Sequence, residues 1–401
     1  MDTTADESSS INFNLGNDLA RNEARVAEIR DHFNRQTRFE FEGELGRGAT
    51  GMAFKVKEKW QPFSRGRSRR LVVKRATKET QNDWRSLRRE IDIMTKLCGS
   101  AHIAALIATR DDLKPPTRLG ARLLRNAALL LRRQDSMLVG LRGPVLVLEY
   151  LENGDLSRLY VRLWRRSRSL PNRILWAFFV CMIRACIAMA YPPSRGLNAR
   201  PRLETVPSRI APGPLEHHDL HAGNIMVGAA GGEAEHALVP ALKVIDFGEA
   251  RQQAPAPADM QHGHYRNAWD MCQNILRLVT RTANPVRRTA EYGGYRTMAT
   301  EVLRAPVGEG DRYPGLDDAF RDLMARCLAE DHARRPTLAE MLAAAREGAA
   351  KGAEAYAPND ADETDEAVRG ALQTFVYDAD DVFSRGDRNP FDDEDGADVF
   401  L

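Results

Sequence analysis

The sequence predicts an α+β protein in which a small antiparallel sheet precedes a mainly helical region. Period-two alternation of apolar and polar residues is confined to the chain before Gly154, and helical spacing dominates beyond it. A glycine-rich stretch joining two of the alternating segments adds a hairpin, the connection an antiparallel sheet uses.

Each element has its own signal. Asn17 to Phe33 alternates acids and bases around Leu19, Val26, Ile29 and Phe33, which predicts a surface helix laid against the domain that follows. Phe39 to Glu42 and Met52 to Lys57 read as strands on either side of the glycine-rich loop. Leu71-Val72-Val73 is another short strand, and Trp84 to Leu97 carries Leu87, Ile91, Met94 and Leu97 on one helical face. Val145 to Leu148, after Gly143-Pro144, reads as a buried strand. The clearest helices beyond Gly154 are Arg173 to Ala190, Asn267 to Thr282, Asp317 to Ala329 and Thr337 to Arg346. Segments 111–142, 191–215 and 228–241 read as insertions without assignable function, Leu119 to Leu131 being able to form a helix of its own. Residues 347–401 read as an acidic, disordered tail.

Composition bounds the class. At 401 residues, 43% hydrophobic and 28% charged, the chain is long enough for two compact units with real cores. Net charge is +2, yet residues 351–401 hold 15 Asp/Glu against 4 Lys/Arg, so the rest is basic. Arginine clusters at 65–70 and 122–133 carry no interleaved aromatics, and nucleic-acid binding is not expected. Five scattered cysteines, without a CxxC pair or histidine at ligand spacing, read as reduced core residues. The acidic N-terminus lacks the features of a secretory signal, and the apolar run Ile174 to Ala190 is interrupted by Arg184. An intracellular protein, cytoplasmic or nuclear, with no membrane partner is expected.

The chemistry lies in four motifs. Gly46-Arg47-Gly48-Ala49-Thr50-Gly51 matches G-x-G-x-x-G between two strands, where a loop folding over phosphates belongs; a dinucleotide fold would place it between strand and helix. Lys74 follows Gly51 by 23 residues on the next strand, and Glu90 on the succeeding helix can hold its flexible stem. His217-His218-Asp219-Leu220-His221-Ala222-Gly223-Asn224 runs into an apolar strand and is the strongest local signal. Asp219 suits the proton of an attacking hydroxyl, and the Asn224 amide oxygen suits a hard cation. The three histidines lack the spacing and the cysteine needed to complete a tetrahedral zinc set. Lys243 to Gly248 ends in Asp246-Phe247-Gly248, which presents a carboxylate to the same cation.

In this order the motifs resemble the eukaryotic protein-kinase superfamily over Phe39 to Arg346, and most of all the divergent protein-kinase-like proteins of fungi. The resemblance implies a bilobal fold. A small antiparallel sheet with one main helix would span 39–152, a mostly α-helical lobe 153–346, and residues 1–38 would form a helical extension. It implies ATP and Mg²⁺ as cofactors, with Asp219, Lys74 and Glu90 catalytic and Asn224 and Asp246 holding the metal. The nucleotide would meet Leu45, Gly46, Gly48, Gly51, Ala53, Lys74, Glu149, Leu151 and Asp155. Trp269-Asp270 looks like the aspartate that supports the catalytic loop, and Arg335-Pro336 like the late Arg-Pro of the large lobe.

Departures bear on the acceptor. His218 replaces an arginine that binds an activation-loop phosphate in many kinases, and Tyr265 is the only hydroxyl residue between Gly248 and Asp270. The interval from Asp246 to Asp270 is short and has no Ala-Pro-Glu. His221 stands where serine/threonine kinases usually carry lysine and is similar to loops of aminoglycoside- and choline-type kinases. Transfer to a protein serine or threonine is the leading expectation. A small-molecule kinase and an ATP-binding pseudokinase scaffold are the alternatives.

Overall fold

The computed structural model describes residues 21–48, 51–59, 68–112, 135–197, 199–229, 231, 234–252, 263–282, 288–305, 310–356 and 361–378. The helix proposed at Leu119 to Leu131 lies outside them. The fold is α+β, with one five-stranded antiparallel sheet and eight helices among the described residues. The chain divides into two compact units, one of residues 21–92 and 106–150, the other of 93–105 and 151–378.

The first unit is the sheet, in order β1-β2-β3-β5-β4. Its strands are β1 (Phe39–Arg47), β2 (Gly51–Glu58), β3 (Arg69–Ala76), β4 (Leu106–Asp111) and β5 (Pro144–Glu149). Phe54, Val73 and Val147 form one cross-strand row and are fully buried. Alternation therefore sends Ala53 and Lys74, the neighbouring row, to the opposite face. Helix α1 (residues 21–34) places Ile29 and Phe33 in the same apolar cluster as Phe54 and Val73. His32 Nε2 bonds the Met137 carbonyl at 2.7 Å, and Glu28 pairs with Arg75 at 2.8 Å. The helical extension is thus built into the sheet's own core, each buried side chain stabilising it by about 1.5–3 kcal/mol.

The second unit is mainly helical: α3 (Leu156–Arg165), α4 (Asn172–Ala190), α5 (Gly263–Thr280), α6 (Asp318–Cys327), α7 (Leu338–Ala349) and α8 (Asp365–Leu372). Helix α2 (Gln81–Leu97) begins in the sheet unit and ends in this one. Helix α4 is long and apolar enough to cross a membrane, but 89% of its apolar window is buried inside the protein. A helix apolar on all sides is what a core position requires. Short antiparallel pairs complete the unit: β6 (Leu215–Glu216) with β9 (Arg251–Gln252), β7 (Ile225–Val227) with β8 (Leu242–Val244), and β10 (Ala290–Tyr292) with β11 (Tyr295–Thr297).

Helix α7 starts on a capping box, Thr337 with Glu340, and packs its C-terminal turn on α4. Trp176 of α4 is held by an indole N–H bond to Asp317 (2.9 Å) and an edge-on contact with Phe320. A Cβ at Gly348 would stand 2.2 Å from the Trp176 ring. Gly348→Ala gains about 1 kcal/mol of helix propensity. The clash outweighs it, and a net loss of about 1–3 kcal/mol is expected, read as a lower urea midpoint.

The acid-rich stretch after Glu347, expected to be disordered, is folded over residues 348–356 and 361–378. Glu363 is buried and accepts from the Asn172 backbone N–H (2.6 Å) and side-chain amide (2.8 Å) at the start of α4. Val368, Leu372, Phe375 and Val376 are buried at helical spacing. The net negative charge masks that apolar stripe in the sequence. The remainder of the predicted tail, 379–401, lies outside the described residues.

Candidate active site

The predicted residues divide between the units. In the sheet unit, Leu45 and Gly46 end β1, Gly48 follows it, and Gly51 opens β2. Gly46 lies opposite Ala53, and Ala53 opposite Lys74, so three predicted residues form one row across β1, β2 and β3. The Gly48 N–H donates to the Gly51 carbonyl at 2.8 Å and closes the loop, whose Ala49 and Thr50 lie outside the described residues. A Cβ at Gly51 would meet the Lys74 stem at 3.1 Å and the Arg75 carbonyl at 3.2 Å. Glycine is what lets β2 begin against that side chain. At Gly46 a Cβ would meet nothing within 4 Å, which leaves this face of the loop open.

Lys74 Nζ lies 3.0 Å from Glu90 Oε1 and 2.9 Å from Oε2. The Glu90 side chain is 2% exposed and that of Lys74 13%. Helix α2 aims Glu90 inward because Leu87, Met94 and Leu97 on the same side are buried. Glu149 ends β5 opposite Leu71, and Leu151, buried, belongs to the helical unit.

In the helical unit the segment Glu216 to Asn224 connects β6 to β7. Asn224 donates through Nδ2 to the Asp219 backbone carbonyl (2.9 Å) and to Oδ2 of its carboxylate (3.1 Å). Its own carbonyl accepts from the Ile245 N–H at 3.0 Å, and β7 pairs with β8, so Asp246 is carried to the same loop. His217, fully buried, donates from Nε2 to the Ile245 carbonyl (3.0 Å), accepts the Asp219 N–H at Nδ1 (3.3 Å) and packs on Phe247. Burial pushes its pKa down, so the neutral ring with one fixed tautomer holds the two segments together.

His218 and Asp246 both adopt left-handed backbone conformations, φ +64° and +57°. Each costs about 1–3 kcal/mol and persists only where the surroundings over-determine it. For Asp246 they do so through its Oδ1 bond to the Gly248 N–H (3.1 Å) and the buried Phe247. His221 Nε2 lies 3.6 Å from Asp219 Oδ1 and its Nδ1 accepts the Gly223 N–H. That pairing, against an opposing contribution from burial, holds the Asp219 carboxyl below its usual range, so the group is an anion at neutral pH.

Two supporting residues differ from expectation. Asp270 was expected to brace the catalytic loop, but its carboxylate pairs with Arg266, and burial pushes its pKa up. The bracing comes from Asn267, which accepts the His217 N–H (3.0 Å) and donates to the Leu215 carbonyl (2.8 Å), and from Asn274, which donates to the Leu220 carbonyl (2.9 Å). Both are buried, seven residues apart on one face of α5, a spacing visible in the sequence. Arg335 lies over the Trp269 ring at 4.7 Å. Asp155 is the N-cap of α3, its Oδ1 accepting the Arg158 N–H at 3.0 Å, so its first role is structural. A cavity of about 840 Å³ lined by Arg168, Arg281, Arg312 and Phe375 contains none of the predicted residues. No family model matches this chain, and no curated protein matches it.

Proposed function

We propose that the chain is an ATP- and Mg²⁺-dependent phosphotransferase with the bilobal protein-kinase-like fold, acting on a protein serine or threonine hydroxyl. The observation that carries this is the Lys74–Glu90 pair. A cation held by both carboxylate oxygens on the sheet face opposite the apolar cluster, beside a glycine loop, suits the α- and β-phosphates of a nucleotide. An ion pair this buried adds little to stability over an apolar pair, which supports a functional reason for keeping it.

The donors fit the cofactors. Asn224 spends its Nδ2 on Asp219, and its amide oxygen takes no part in those bonds. With the Asp246 carboxylate it makes the hard oxygen set that Mg²⁺ prefers. When bound, the metal and triphosphate supply the electrophilic phosphorus and the neutralised charge. The chain's own residues position and hold: Lys74 fixes the phosphates, Gly46, Gly48 and Gly51 bring backbone over them, and Asp219 takes or orients the acceptor hydroxyl proton. Leu45, Ala53 and Leu151 offer apolar contact to the base, and the backbone of Glu149 and Leu151 its polar edge.

His221 favours a second acceptor class. It is folded against Asp219 and Asn224, so the loop extends no lysine toward a peptide, which suits a small-molecule hydroxyl. All five described cysteines are buried and unpaired, which supports an intracellular, reducing location. The reading is tested by thermal unfolding with and without Mg-ATP. The chain should melt higher with nucleotide at concentrations above its Kd, and no shift at millimolar Mg-ATP would remove the nucleotide site on which the reading depends.

A further inference from the structure

Inside the helical unit and outside the candidate active site, three metal-ligating side chains from distant parts of the chain converge. His102 lies in the loop after α2, Cys181 in the middle of α4, and His236 at the end of the 3-10 turn Ala234–His236. All are buried, and one ligand atom from each lies within 4.8 Å of the others. The two imidazoles face each other through Nε2 at 3.1 Å, and Cys181 Sγ is 4.0 Å from His236 Nδ1.

Glu204, also buried, accepts from His102 twice, from the backbone N–H at 2.9 Å and from Nδ1–H at 2.7 Å. With the proton held on Nδ1, the His102 lone pair sits on Nε2, aimed at the other two residues. A carboxylate behind a histidine in this way is the support that metal-bound imidazoles use. Two segments whose function the sequence does not reveal each supply one member: Glu204 comes from 191–215 and His236 from 228–241. Arg184 of α4 anchors both, donating to the Glu235 carboxylate at 2.7 Å and to the Glu204 carbonyl.

We propose that His102, Cys181 and His236 form a zinc site, with Glu204 orienting His102 and a water completing the tetrahedron. Imidazole and thiolate are the donors Zn²⁺ takes. Two Zn–N bonds at the tetrahedral angle put their nitrogens about 3.3 Å apart, close to the 3.1 Å between the imidazoles. A Zn–S bond needs nitrogen–sulfur separations of about 3.6 Å, and the three ligand atoms lie within 4.8 Å of one another, so the Cys181 side chain closes in on the two nitrogens as the ion binds. The thiol proton passes to solvent as that bond forms.

The ion would staple both insertions to the core helix. It would also steady β8, because Val244 donates to the His102 carbonyl and accepts from the Ala104 N–H, each at 3.0 Å. None of this rests on the phosphotransferase reading.

The test is elemental analysis of the full-length chain purified without chelator, followed by cobalt(II) titration after zinc removal. About one zinc per chain is expected, with a thiolate-to-cobalt charge-transfer band and intense tetrahedral d–d bands. Cys181→Ser and His236→Ala should each lose the metal, and Glu204→Gln should hold it about 10–100-fold more weakly. Should either ligand variant fail to fold, the cobalt spectrum of the unaltered chain decides alone. A chain without zinc whose cobalt spectrum lacks the thiolate band overturns the site, as does zinc content unchanged in folded Cys181→Ser.

Discussion

Replacing Asp219 with asparagine is expected to lower phosphoryl transfer by about 10³-fold while leaving Mg-ATP binding intact. The geometry makes this substitution a clean one. Asn224 donates to Oδ2 of Asp219, and an amide oxygen at position 219 preserves that acceptor. The loop is fixed from below by His217, Asn267 and Asn274, none of which uses the Asp219 carboxylate. What disappears is the carboxylate anion, beside His221, that the acceptor's proton needs. Steady-state transfer and nucleotide-dependent melting should therefore separate, and turnover persisting at wild-type rate would remove Asp219 from the mechanism.

Glu90→Gln carries the second large effect, and it acts on nucleotide as well as rate. The amide keeps the shape but not the charge, so the Lys74 ammonium loses its buried counter-ion and its fixed position. Misplacing a phosphate-positioning group by about 1 Å costs on the order of 10²-fold in rate. Breaking a buried pair also costs up to about 3–5 kcal/mol of stability, here toward the lower end because Lys74 is partly exposed. kcat/KM for ATP should fall by about 10²-fold. Lys74→Ala should add little when combined with Glu90→Gln, since the two residues act as one unit. Full additivity of the two changes would show that they act independently.

The sheet was legible because its signals are local. The strands expected at Phe39 to Glu42, Met52 to Lys57 and Leu71 to Val73 lie within β1, β2 and β3, and the helix over Trp84 to Leu97 needed only one turn added at its start. The bulges of β1 around Gly43 and Gly46 were not visible, because register depends on the partner strand. Helix α3 escaped notice although Asp155 caps it and Leu156, Leu159, Tyr160 and Leu163 are spaced as a buried stripe.

In the candidate site, short motifs singled out Lys74, Glu90, Asp219, Asn224 and Asp246, whereas residues acting through backbone bonds were not singled out. Asn267 and Asn274 share a helical face by spacing but belong to no catalytic motif, and the carboxylate between them in the chain attracted the assignment instead. The His102, Cys181 and His236 cluster shows the stronger limit. Its members are separated by 79 and 55 residues, and ligand-spacing rules read only neighbours along the chain. Charge balance misled at the C-terminal end, where Glu363 is counted as tail acidity but serves as the acceptor at the start of α4.

The central claim is γ-phosphoryl transfer, and label transfer tests it most directly. Purified chain would be incubated with γ-labelled ATP and Mg²⁺, offered generic protein acceptors in one arm and amino-alcohols in another, with Asp219→Asn as the blank. Magnesium-dependent label in an acceptor, or in the chain itself, well above that blank is the predicted result. Label no higher than the blank in every arm, from folded protein that binds Mg-ATP, would contradict it.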